Sequence, residues 1–477
     1  MFQLSSKSVN SFAKSLATGS IVGVLLAGCG GAGGTGGGGV GGTSGGGVVA
    51  TPVLPDLITA SLIVDVNGDG KNDVVMSSQG GGYPSLLVLI NNGTGSSFTK
   101  SATAVPPQYL GVNGSAVDIQ SGDFNKDGKI DLLVVTVDTS PANFYNASQI
   151  QLFLGNGNGT FTDATANITS GAWPAWPIQQ SAFPIPGFTG WVEHVRVADI
   201  DGDGFLDFVT TSIVAAAGTV YRNDGTGKFS PAAMTITGLV TLSGSGPLVL
   251  SSLNSRDVLV GDVNNDGKLD LVSLADGMTY INTSTPGVIS FNALAGTLPG
   301  LLPQGNGIPE GVLVDINGDG FLDVLSAALL GPTNPVSAYI NNGAGVFTLN
   351  NTVLLPAQPT VDNARQWLTA DFNGDGKLDV LILTNGLDQS PYPGARNWLL
   401  LNNGAGKLVD ATATSLDLLA GYTHQAAIGD LNGDGKPDLL LNNSANCNGT
   451  TMACANEPRF WLNNGLGKFT SYNPVIQ

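Results

Sequence analysis

One acidic stretch of nine residues occurs seven times in this chain, and few folds other than a ring or a stack accommodate such repetition. Its first copy is Asp65-Val66-Asn67-Gly68-Asp69-Gly70-Lys71-Asn72-Asp73. The pattern D-x-[N/D]-x-D-G-x-x-D starts again at Asp123, Asp199, Asp262, Asp315, Asp371 and Asp430, with 58, 76, 63, 53, 56 and 59 residues between successive starts. That period is the length of one propeller blade or solenoid repeat.

Positions 1, 3, 5 and 9 of each copy carry side-chain oxygens. They are Asp65, Asn67, Asp69 and Asp73; Asp123, Asn125, Asp127 and Asp131; Asp199, Asp201, Asp203 and Asp207; and Asp262, Asn264, Asp266 and Asp270. The later copies give Asp315, Asn317, Asp319 and Asp323; Asp371, Asn373, Asp375 and Asp379; and Asp430, Asn432, Asp434 and Asp438. Position 6 is Gly every time, which lets the chain turn sharply enough to converge several oxygens on one hard cation. So many protein oxygens in a flexible loop suit calcium better than magnesium. The same loop without metal is an Asx-turn hairpin, common singly but a poor account of seven matching copies.

An EF-hand would need Glu at position 12 and flanking helices. Position 12 here is Met76, Val134, Thr210, Ser273, Ser326, Ile382 and Leu441. Position 9 instead runs directly into apolar, β-branched segments that read as buried strands. The loops hold 22 of the 36 acidic residues, and seven divalent ions would bring the formal charge from −18 to −4. The acidity is ligand supply, with nothing in it for nucleic acid.

On these residues the chain resembles the FG-GAP/VCBS-type repeats of integrin-α-like propellers, over roughly 55–477. The FG and GAP signatures are weak, so the bacterial-type repeats are nearer. The resemblance implies an all-β fold, a seven-bladed propeller of four-stranded antiparallel blades, with up to seven calcium ions between the first two strands of the blades. High Gly and Pro content and 11% charged residues agree.

A second motif follows each loop by 20 to 30 residues. Examples are Ile90-Asn91-Asn92-Gly93 with Phe98, Tyr221-Arg222-Asn223-Asp224-Gly225 with Phe229, and Leu462-Asn463-Asn464-Gly465 with Phe469. Asn-Gly and Asp-Gly supply the positive φ of tight hairpins. These are expected to join third and fourth strands, on the same face as the acidic loops, with their aromatics between blades. The fourth copy, Thr283-Ser284-Thr285-Pro286-Gly287, predicts a longer turn.

The N-terminal 1–28 reads as a processing segment, with Lys7 and Lys14 before a short apolar run. Leu26-Ala27-Gly28-Cys29 resembles a bacterial lipobox, which implies a lipid-anchored Cys29. Residues 29–47 form a Gly-rich tether, and 48–477 the propeller. Gly30 after the Cys favours the outer membrane by resemblance to enterobacterial sorting, so the expected place is the bacterial envelope or cell surface, as a monomer. Cys447 and Cys454 are expected to pair in that oxidising setting. The ring is expected to close by packing alone or by a strand borrowed from Val48 to Val53.

Two ligand sites are candidates. The connection 162–192 carries Trp173, Trp176 and Trp191 among prolines, suited to stacking on a sugar or to a protein contact, or to covering a blade edge. Polar residues at the start of the innermost strands, among them His194, Arg256, Glu310, Arg365 and His424, form either a channel-mouth site or a wet lining. No catalytic constellation is visible. The expected function is recognition of a glycan or cell-surface protein. A glycan-active enzyme such as a calcium-assisted lyase, or its accessory subunit, and an envelope scaffold are the alternatives.

Overall fold

The computed structural model describes residues 59–77, 86–101, 105, 114–138, 148–168, 192, 194–210, 219–238, 258–275, 277–299, 309–328, 334–386, 394–416, 421, 423–443 and 459–477. They form seven antiparallel four-stranded blades in a propeller ring. The first blade runs Ser61–Val64, Asp73–Ser77, Leu86–Asn91, Ser97–Ser101 from the axis outward. The other six have the same up-and-down order, with innermost strands Gly114–Gly122, Val195–Ala198, Leu259–Gly261, Pro309–Val314, Ala364–Ala370 and Thr423–Gly429. Among the described residues, helix is confined to single turns such as Thr412–Ser415.

The second strand of each blade begins on the last Asp of an acidic loop and is buried on both faces. A strand sandwiched between neighbouring blades has no solvent face, which is why these segments are continuous apolar runs without alternation. Each seam between blades has its own core. Phe98 and Leu89 of the first blade meet Phe460 and Leu440 of the seventh. Phe124 and Leu133 of the second meet Phe208 and Tyr221 of the third. Of the hairpin aromatics expected between blades, Phe98 and Phe229 are fully buried, and Phe469 is half-buried against the core shared by the sixth and seventh blades.

After the outer strand of several blades, the chain runs alongside the outer strand of the next one, in parallel. Met234–Thr237 lies on Ile289–Leu294 of the fourth blade, and Leu354–Leu355 on Leu408–Asp410 of the sixth. Ring closure uses the same stitch. Val475–Ile476 pairs in parallel with Ser97–Ser101, and the Lys100 and Val475 N–H groups each donate at 2.9 Å, to Gln477 and Ser96 carbonyls. Closure therefore does not rest on packing alone, because the segment Val475–Ile476 supplies a fifth strand to the first blade. Residues 48–53 lie outside the described residues.

Candidate metal centres on one rim

All seven acidic loops and the Asn-Gly hairpins project from the same face, since each joins an odd strand to the next. Within every loop the backbone wraps around its own carboxylates. The amide of position 6 donates to the position 1 Asp at 2.7–2.9 Å in all seven copies. The position 5 amide donates to the position 3 side chain, and the position 7 amide to the position 5 Asp, as in Asp69 to Asn67 at 2.9 Å and Lys71 to Asp69 at 3.0 Å. Gly70, Gly204 and Gly320 at position 6 have φ of 81°, 88° and 89°, the left-handed conformation expected of that glycine. Position 4 is left-handed too, and in two loops it is not Gly: Lys126 and Asn265 both sit at φ 59°.

The position 9 Asp is the structural root of each loop. Its side chain is fully buried in every copy. One oxygen accepts the position 2 amide at 2.9–3.1 Å. The other accepts, at 2.7–2.8 Å, an amide from the hairpin motif of the same blade. Burial pushes the carboxyls of Asp73, Asp131, Asp270, Asp323, Asp379 and Asp438 up to about 6 and that of Asp207 to about 7; the two amides pull back, and neighbouring loop carboxylates push further upward. A cation would relieve both the desolvation and the repulsion.

In the third loop, oxygens of Asp199, Asp201 and Asp207 lie within 4.8 Å of one another, a cluster that could hold a metal ion. It stands apart because position 3 is Asp201 here and Asn in the other six loops. The donors are all oxygen, on a loop whose amides already hold the carboxylates in place, and this fits a hard cation.

The hairpin motif does more than supply a turn. The side-chain amide of its first Asn donates to a backbone carbonyl in the acidic loop of the preceding blade. The pairs are Asn91 to Leu431, Asn223 to Phe124, Asn282 to Ile200, Asn341 to Val263, Asn402 to Asp315 and Asn463 to Phe372, at 2.7–2.9 Å. The same amide also reaches position 8 of its own loop, as from Asn91 to Asn72 at 2.8 Å. Its carbonyl oxygen caps the hairpin amides, Gly93 at 2.8 Å for example. Six of the seven seams on this rim are thus clamped by one buried carboxamide. In the second blade Gly155 takes its place, and the Gly159 amide donates to Val66 of the first blade at 3.2 Å. The position 7 side chain lies over the hairpin glycine of its own blade: a Cβ on Gly93 would stand 2.8 Å from Lys71, and one on Gly225 2.6 Å from Phe205.

Around the axis, the polar residues at the start of the innermost strands make contacts between blades. His194 faces Asp118 of the preceding blade at 3.6 Å, and both are buried. Burial alone would raise the Asp118 carboxyl, but His194 and Arg196 hold it below its ordinary value. The Gln366 side chain accepts the Ala426 amide at 2.8 Å, Gln425 donates to the Val117 carbonyl at 2.5 Å, and His424 lies 3.1 Å from Asn385. Glu310 and Arg365 are buried as well. His194, Gln366 and His424 reach adjacent blades, while Gln425 of the seventh blade reaches across to the second. Trp173, Trp176, Trp191, Arg256, Cys29, Cys447 and Cys454 lie outside the described residues.

Fold and loops together define a seven-bladed β-propeller with an acidic, oxygen-rich loop on one rim of each blade. The chain carries FG-GAP-like repeats, matched at residues 65–134, 315–382 and 371–441. A phosphatidylinositol-glycan-specific phospholipase D of Dictyostelium discoideum is 28% identical over 176 residues, covering 33% of this chain and 18% of that protein. This chain thus matches less than a fifth of that relative's length. Among solved structures, an Agrocybe aegerita lectin described as specific for non-reducing terminal N-acetylglucosamine has a TM-score of 0.50 at 18% identity, covering 86% of this chain and 92% of the lectin. A rhamnogalacturonan lyase of Bacillus licheniformis has a TM-score of 0.38 at 13% identity, covering 89% and 74%.

Proposed function

We propose that this protein is a calcium-stabilised recognition propeller, displayed on the bacterial envelope by a lipid on Cys29, whose partner is a glycan or a glycan-bearing surface protein. The observation that supports calcium most directly is the buried position 9 Asp, which ties each loop to the seam clamp beside it. An ion held by the side-chain oxygens at positions 1, 3, 5 and 9 would neutralise carboxylate charge that the fold otherwise holds together at a cost. With every acidic loop on one rim, calcium has a bracing role there, and the opposite rim is free to carry recognition. The aromatic connection 162–192, with Trp173, Trp176 and Trp191, is the segment suited to stack on sugar rings. The Agrocybe aegerita lectin lends support only in that a propeller of this fold can serve a glycan ligand.

The test is a glycan-array screen of residues 48–477 in millimolar calcium, repeated with Trp173→Ala/Trp176→Ala. Glycan binding that disappears in the double variant, with melting unchanged, is the expected result. Silence across the array, or binding indifferent to both tryptophans, would remove the aromatic connection as a glycan site.

A further inference from the structure

Four departures from the repeat pattern meet at the third loop. Position 3 is Asp201 instead of Asn, position 7 is Phe205 where five loops have Lys, strand Thr219–Asn223 carries Arg222, and the next blade has the longer turn 283–288. In three loops with Lys at position 7 that cation pairs with the outer oxygen of the position 5 Asp, as Lys129 does with Asp127 at 3.1 Å. Phe205 carries no charge for this. Instead the Arg222 guanidinium bridges two carboxylates, with Nε on Asp201 Oδ2 and Nη2 on Asp203 Oδ2, each at 2.6 Å. The longer turn brings the Gly287 amide to the same Asp201 oxygen at 2.8 Å. Asp201 is buried, so its extra charge needs a fixed partner. The inner oxygens of both carboxylates accept the Asp203 and Phe205 amides and stay within the loop.

We propose that Arg222 is a resident counter-ion that holds the third loop, and its seam with the fourth blade, closed when the loop carries no metal. With Arg222 the four carboxylates of the third loop carry a net charge of −3, the same as the fifth loop, which also has Phe at position 7. A planar fork on two carboxylates is also a fixed cross-link, which a lone Lys on one carboxylate cannot supply. The third seam is then the least calcium-dependent of the ring. This rests on calcium occupying the loops, as proposed above.

The test compares wild type with Arg222→Gln in metal-stripped buffer and in millimolar calcium, by thermal melting and by amide exchange of peptides covering 65–73 and 199–207. In wild type without metal, 199–207 should exchange more slowly than 65–73. Arg222→Gln should erase that difference and lower the metal-free melting temperature by several degrees, with little loss in calcium. The double variant Asp201→Asn/Arg222→Gln, which gives the third loop the same acids as the others, should fold in calcium and show the same rapid metal-free exchange. Equal losses with and without calcium, or undiminished protection of 199–207 in Arg222→Gln, overturn the role of Arg222. A wild type whose melting ignores calcium overturns calcium as the loops' ion, while the exchange comparison still decides what Arg222 does.

Discussion

Ile476, at the C-terminal edge of the fold, pairs with Phe98 in the outer strand of the first blade, and the next amide, Gln477, donates to the Phe98 carbonyl at 2.9 Å. Ile476 is buried in the core shared by the first and seventh blades. Replacing Ile476 with Ala should cost about 2–4 kcal/mol, as for a large-to-small change in a packed core. Deleting 474–477 should cost more, since the strand is lost with the side chain. Urea unfolding checks both, and a full-stability deletion would show that packing alone closes the ring.

Asn91 is the clamp at that same seam. Asn91→Ala removes donors from the buried Leu431 carbonyl and the half-buried Asn72 carbonyl, and an acceptor from the Gly93 and Gly95 amides. An expected loss of about 2–4 kcal/mol follows from leaving such groups unsatisfied. Asn341→Ala, at the seam of the fourth and fifth blades, should lose a similar amount. Substitutions that leave the denaturation midpoint in place would remove the clamp from the account of stability.

Gly155 gives a prediction opposite to what the repeats suggest. Asn stands at this place in the other six blades, so Gly155→Asn looks like a restoration. A Cβ here would collide with the Ile130 carbonyl, which is backbone and has little room to move. The variant should lose about 1–3 kcal/mol through overpacking. A gain in melting temperature would mean that the second blade relaxes to accept the clamp.

The position 9 carboxyls set a pH dependence for the metal-free protein. Their folded values of about 6 and about 7 exceed the ordinary 3.8, so the folded state binds these protons more tightly than the unfolded chain. Their stabilising contribution is complete below the unfolded value and is lost as pH rises through the folded one. Metal-stripped protein should therefore melt higher at pH 5 than at pH 7.5. In calcium the order should reverse, because protons compete with the ion below about pH 6. Melting curves at both pH values, with and without calcium, check this; stability of the stripped protein that rises with pH would contradict it.

The sequence carried the blades plainly because their signals are local. Asp, Gly and Asp at fixed offsets, then an apolar run, mark loop and strand within a dozen residues, and Asn-Gly marks the hairpin. The role of Asn91 or Asn341 was not legible, since the carboxamide acts on a carbonyl 340 or 78 residues away. The left-handed Lys126 was hidden because five loops place Gly at position 4 and a Lys there carries no conformational signature. Pairing between Arg222 and Asp201 spans 21 residues across two strands, but Asp in place of Asn at position 3 was the visible trace of it. The closing strand is two residues long, too short for any alternation to show.

Every carboxamide clamp reaches back to the blade before it, and this gives the ring a direction. From Asn223 onward each donor finds its acceptor in a segment that precedes it in the chain, so each blade can dock on its predecessor. Asn91 alone finds its acceptor later in the chain. Its partner Leu431 lies 340 residues on, in the seventh loop. The clamps thus run in chain order around the ring, and only the seam of the first and seventh blades joins the two ends of the propeller.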